Sequence, residues 1–209
     1  MTKRVIVLKP GEGIPDEFEG AEDVDVTSYS QSPLSPFLIG GTHASDVNSR
    51  PGVWYHNFEN MWQYSKVYRF LGHIQEDGGV SDEWYKWSDQ GAKEHRANRY
   101  PAGRGAKPEF LMWQGRKLSY VAARKLVYLP KYMECIRANP SAYTEFNRLH
   151  DIIQDGGLLV LRDFDCYAVK GKYPWQDMID NPHRKFGHGL ALAHALERSS
   201  LNAHMEIIV

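Results

Sequence analysis

A chain of 209 residues with 42% hydrophobic and 12% aromatic content is long enough for one substantial core and short for two, so a single domain over 1–209 is expected. Its formal net charge of −1 excludes a protein that coats nucleic acid or an anionic membrane by bulk attraction, so any anion contact must be local. The two cysteines, Cys135 and Cys166, have no CxxC spacing, and no apolar run approaches a leader or a membrane span. A reduced cytoplasmic protein with no membrane contact and no structural zinc is therefore expected.

Arg4 to Lys9 is a short β-branched run closed by Pro10 and Gly11, which predicts a buried strand. Asp23 to Ser28 alternates as a half-exposed second strand. From Tyr29 to Gly52 the chain carries prolines, glycines and serines around an apolar island of Leu34, Phe37, Leu38 and Ile39, the composition of an irregular loop pinned to the core. Asn57 to Tyr68 (NFENMWQYSKVY) reads as a helix that puts Glu59, Gln63 and Lys66, spaced i, i+4, i+7, on one face. Phe58, Met61, Trp62 and Tyr68 flank that face and need burial, so a carboxylate, an amide and an amine are expected at the border of the core, with Glu59 and Lys66 opening into the largest concave pocket and Asp163 or Asp165 coming from a strand end opposite.

After a turn at Glu76 to Gly79, Ser81 or Asp82 caps a predicted helix to about Ala97, with Trp84, Tyr85 and Trp87 in the core. The run RYPAGRGAKP concentrates Arg99, Arg104 and Lys107 among two glycines and two prolines, the strongest anion-binding loop in the chain. It lacks the order of a P-loop. Phe110 to Trp113 and Lys117 to Leu118 flank Gln114-Gly115 as a hairpin. Ser119 then opens a helix that Pro130 should kink or split. A helix from Ser141 to Gln154, with Tyr143, Phe146, Leu149, Ile152 and Ile153 inward, is followed by a strand over Leu158 to Phe164 that delivers Asp163 and Asp165 at its end. A Pro-Trp turn at 174 and 175, a last helix including Phe186 and Leu190 to Leu196, and an edge strand in the final HMEIIV complete the expectation. His183, His188 and His194 are spaced five and six apart, which shares no helical face, so no metal site is expected. The elements sum to an α+β protein, mostly helical with a small sheet.

Taken in order, SPLSPF, ENMWQYSK, LLVLRDFD and GHGLALAHAL resemble the NADAR N-glycosidases, in which a helix is marked ExxxQxxK. Glu59, Gln63 and Lys66 stand in that spacing. Arg104, Phe146, Asp163 or Asp165, and Gly187 to Leu196 are similar in order to later features of that family. The chain departs from it in having no Trp-Gly pair in DFDCYAVKGKYPW and no asparagine in GHGLALAHAL. It is also similar to bacterial and phage proteins that share ENMWQYSKVY and DFD runs, a likeness that implies no activity.

The first resemblance implies a NADAR-like fold and cleavage of an N-glycosidic bond in an ADP-ribose-like or nucleotide substrate, with no cofactor or metal. Glu59 and Asp163 or Asp165 would stabilise the sugar cation, Lys66 would serve as acid or nucleophile, and Gln63 and Trp62 would hold the substrate. Arg99, Arg104 and Lys107 would hold its phosphates. Two other classes are open to the same residues: a non-catalytic nucleotide- or nucleic-acid-binding module, and a phage-type protein acting on a host factor through Trp84, Tyr85 and Trp87.

Overall fold

The computed structural model describes residues 4–44, 53–166 and 175–202, and the edge strand expected in HMEIIV and the turn at Pro174 lie outside them. In chain order the elements are β1 Val5–Leu8, β2 Glu22–Asp25, β3 Gly40–Ala44, β4 Val53–Asn57, α1 Phe58–Tyr64, β5 Lys66–Val67, α2 Asp82–Lys93, β6 Phe110–Trp113, β7 Arg116–Leu118, α3 Tyr120–Ala123, α4 Leu129–Ala138, α5 Pro140–Gln154, β8 Leu159–Arg162, α6 Trp175–Asp180 and α7 His188–Asn202. The class is α+β. The chain groups into two compact units, one of Met1–Ser35 with Tyr132–Val209 and one of Pro36–Lys131.

The first unit is built on a three-stranded parallel sheet in the order β1-β8-β2. Val5 pairs with Leu159 and Ile6 with Val160 on one side of β8, and Glu22 pairs with Leu159 on the other. Central β8 is apolar because both its faces are covered: Leu159, Val160 and Leu161 are fully buried. Ile6, Leu8 and Val160 meet Phe18 on one face, and α7 packs against β1 and β8. β2 is the exposed edge, where Arg162 forks onto Asp23 at 2.7 Å from both Nε and Nη2. In α5, the Asn139 amide oxygen caps the Ala142 N–H at 3.1 Å, and Phe146, Leu149 and Ile153 are buried. Tyr143, expected inward, is 46% exposed. The buried stripe runs through Ala142, and Tyr143 falls about 100° away from it. Trp175 opens α6 rather than sitting in a turn, and Phe186 precedes α7.

On α7, His194 has its Nδ1 buried without a hydrogen bond, and burial pushes its pKa down to about 4, with Arg198 acting in the same sense. The unfolded chain takes up this proton near the ordinary pH 6.5, whereas the folded protein resists it. Stability should therefore fall as pH drops from about 6.5 toward 4. The measurement is the urea midpoint across that window, and in His194→Leu the slope should flatten.

In the second unit, β3 pairs antiparallel with β4, and β5-β6-β7 form an antiparallel sheet. Part of the stretch read as irregular loop is thus strand β3, and of the apolar island residues in this unit Ile39 is fully buried while Leu38 is 49% exposed. The β6–β7 hairpin turns where expected, with Gln114 and Gly115 at φ 48° and 70°, the mirror-image turn that matches strand twist. Tyr55 on β4 shares a hydrogen bond of 2.7 Å with Ser88 of α2, and burial pushes its pKa up to about 12.

Ser81 precedes α2, but its hydroxyl donates to the Gly72 carbonyl rather than capping the helix. Downstream, Ser119 caps α3 through the Ala122 N–H, and Arg124–Tyr128 widens into a π-helical segment before α4. Pro130 has no N–H and its ring crowds the carbonyl four residues back, so the split expected there takes the form of this widened turn.

Candidate functional site

Asn57 starts α1, its side chain accepting from the Asn60 N–H at 2.8 Å. The helix ends at Tyr64, so the expectation of one helix through Tyr68 fails: Lys66 and Val67 form β5, paired to Leu111 and Phe110 of β6. The cause is tertiary, since the β-branched and aromatic run after Ser65 gains a sheet partner, and the Lys66 carbonyl accepts from the buried Trp84 indole at 3.2 Å.

The three predicted side chains nevertheless meet. Gln63 Nε2 donates to Glu59 Oε1 at 2.8 Å, and Lys66 Nζ donates to Gln63 Oε1 at 2.6 Å. Chemistry fixes the amide orientation, because a carboxylate only accepts and an ammonium only donates. Gln63 thus links an anion and a cation through two charge-assisted hydrogen bonds, the stronger kind. Glu59 is 6% exposed, and Gln63 and Lys66 are half-buried. Lys66 Nζ also lies 5.4 Å from the centroid of Trp62, whose ring is 4.7 Å from Tyr128 and 6.3 Å from Tyr120. This is a charged pair against an aromatic wall.

The same helix holds the basic loop. Asn60, fully buried, donates from Nδ2 to the carbonyls of Glu94 (2.9 Å) and Arg96 (3.0 Å) and accepts the Asn98 N–H at 2.8 Å. Asn57 adds a bond to the His95 carbonyl at 3.3 Å. α2 stops at Lys93 rather than Ala97, and these amides satisfy the carbonyls of Glu94, His95 and Arg96, which have no following helical turn to bond them. Beyond the tether, Arg99 and Arg104 each place a guanidinium 5.5 Å from the Tyr100 ring. Arg104 and Lys107 are exposed. A cleft of about 610 Å³ opens between Lys86 and Arg96, and neither Glu59 nor Lys66 lines it. If the loop holds an anion, Arg104→Ala should weaken ADP-ribose binding by about 1–3 kcal/mol and lower its salt sensitivity. Unchanged affinity in low-salt calorimetry would remove the loop from the site.

Asp163 and Asp165 belong to the first unit. Asp163 is 1% exposed, accepts the Gly189 N–H at the start of α7 at 2.9 Å, and lies 3.5 Å from His188 Nδ1. The backbone approaches it so closely that a Cβ on Gly187 would fall 2.4 Å from Asp163 Oδ2, and one on Gly189 would fall 2.7 Å from Asp163 Cβ. The glycines of GHG thus make room for a carboxylate that anchors a helix terminus. Asp165 is half-buried and 3.5 Å from Lys185 Nζ. His188 bonds the Val26 carbonyl through Nε2, and among the described residues no group of three or more His, Cys, Asp or Glu could hold a metal ion.

Two residues escape sequence reasoning. Asn60 is hidden among apolar neighbours, where a lone amide reads as filler. Arg124, 1% exposed on the π segment with its guanidinium 4.2 Å from the Tyr120 ring, sits in an apolar periodicity that gives no signal of a buried cation. Tyr120 connects it to the Trp62 wall. Among the described residues no helix is long and apolar enough to cross a membrane. No family model, curated protein or solved structure matches the chain.

Proposed function

We propose that the chain is an N-glycosidase with a NADAR-like fold, acting on an ADP-ribose-like or nucleotide substrate. The observation that carries this reading is the hydrogen-bonded series Glu59–Gln63–Lys66 against Trp62. Breaking an N-glycosidic bond sends the C1′–N electron pair to the departing base and leaves positive charge on the sugar. Water then adds to C1′ and loses a proton. Glu59 supplies negative charge for the sugar cation and a base for the water proton, Lys66 Nζ protonates the leaving nitrogen, and Gln63 holds both in register. The ring of Trp62 offers a face for the base or sugar, and the loop tethered through Asn60 offers Arg99, Arg104 and Lys107 to phosphates.

The test is mass spectrometry of ADP-ribosylated nucleosides and of nucleotide pools after incubation with the protein. A released base or ADP-ribose is expected, with no change on adding EDTA. Activity that vanishes with chelator and returns with a divalent ion would overturn the reading. The basic loop by itself favours a second reading, a nucleotide-binding module without turnover, for which binding would appear with no product.

A further inference from the structure

We infer that the open edge of β2 in the first unit is a docking site for a partner protein, which adds to it an extended strand of alternating basic and apolar residues. In the order β1-β8-β2, β2 has a neighbouring strand on one side only. The N–H groups of Glu22 and Val26 bond the carbonyls of Leu158 and Arg162 at 3.0 and 3.1 Å. Backbone groups alternate between the two sides of a strand, so those of Asp23 and Asp25 point away from β8. Among the described residues nothing bonds these two N–H and two C=O groups. Such a row is a template for one more strand.

The edge is held from both faces of the sheet. Asp23 and Asp25 stand in register with Val160 and Arg162, and Arg162 forks onto Asp23 at 2.7 Å on that face. On the other face Arg148 of α5 bonds Glu22, and Val24 is half-buried. Asp25 Oδ1 accepts the Thr27 N–H at 2.9 Å and closes the end of the strand. A partner therefore meets an edge already in strand geometry, and binding has to order only the partner's own segment.

Charge selects the occupant. From Glu12 to Asp25 the chain carries seven carboxylates and no Lys or Arg, so the surroundings of the edge are anionic. Two copies of β2 paired edge to edge would set Glu22, Asp23 and Asp25 against the same residues, and like charges on paired strands destabilise. The edge thus resists its own copies, the usual duty of edge charges, and admits a strand of opposite sign. Lysine or arginine at every second position of that strand would lie beside Asp23 and Asp25. The positions between them fall on the other face beside Val24, which favours apolar side chains.

The probe is a hexapeptide of alternating lysine and valine with blocked ends, titrated into the isotope-labelled full chain, with amide hydrogen exchange followed by NMR. Neither reading depends on the proposed glycosidase activity. Saturable binding is expected, with exchange of the Asp23 and Asp25 N–H groups slowed about tenfold or more. The N–H groups of Glu22 and Val26, already bonded to Leu158 and Arg162, should change little. The same peptide methylated on every backbone nitrogen keeps its charge but loses its donors, and it should not bind. Asp25→Asn keeps an acceptor for the Thr27 N–H and removes one charge, so it should weaken the peptide about 2- to 5-fold, the range for an exposed ion pair. The inference is overturned if the peptide does not bind, if it binds without slowing exchange at Asp23 and Asp25, or if the methylated peptide binds as tightly.

Discussion

Replacing Gly91 by alanine is expected to destabilise the protein by about 2–3 kcal/mol, although alanine is the better helix former by roughly 1 kcal/mol. Gly91 lies on α2 where it crosses α1. A Cβ there would fall 2.1 Å from Tyr64 Cγ, 2.4 Å from Cδ2 and 2.5 Å from Cβ. Real carbon atoms do not approach so closely, so one side must move. Tyr64 is 1% exposed and its ring rests 4.7 Å from that of Trp87, which leaves it nowhere to swing. The helices would have to part, and α1 carries Glu59, Gln63 and the Asn60 tether. Urea denaturation of Gly91→Ala beside Gln90→Ala, an exposed neighbour expected to change stability by under about 0.5 kcal/mol, checks the size of the effect. Equal midpoints would mean that α1 and α2 do not pack at this spacing.

Much of the architecture is legible in the chain because single residues dictate it. Gln114-Gly115 fixes a hairpin, Asn139-Pro140 starts α5, and LLVL marks a strand buried on both faces. What stays hidden depends on long-range partners. Nothing local says that Lys66 leaves the helix, because β5 exists only when Leu111 and Phe110 are brought beside it. The same holds beyond the end of α2, where the carbonyls of Glu94 and Arg96 are held by the single amide of Asn60, 34 and 36 residues earlier in the chain. The spacing ExxxQxxK remained informative for a different reason. Glu59 and Gln63 keep their i, i+4 contact within α1, and the Lys side chain is long enough to reach Gln63 although position 66 is extended rather than helical.

The largest effect on activity is expected from Glu59→Gln, which should lower kcat by about 10²–10⁴-fold while leaving the fold in place. Glutamine keeps the size of glutamate, and its side-chain carbonyl can still accept the Gln63 amide bond that Glu59 Oε1 now holds at 2.8 Å. What disappears is the negative charge, which the proposed chemistry needs most at the transition state, when the sugar becomes cationic. Stabilisation realised only there appears in kcat and in kcat/KM equally, with KM little changed. A structural role for Glu59 gives the opposite pattern: a lower melting temperature and less active protein, with unchanged kcat for the folded fraction. Lys66→Met keeps an unbranched chain against Trp62 and removes the ammonium that donates to Gln63 at 2.6 Å, so it should also reduce kcat. The two losses should not add in the double variant, because an acid and a base that act on one bond fail together. Additive losses, or full activity in Glu59→Gln, would separate the pair from the chemistry and leave nucleotide binding as the role of the basic loop.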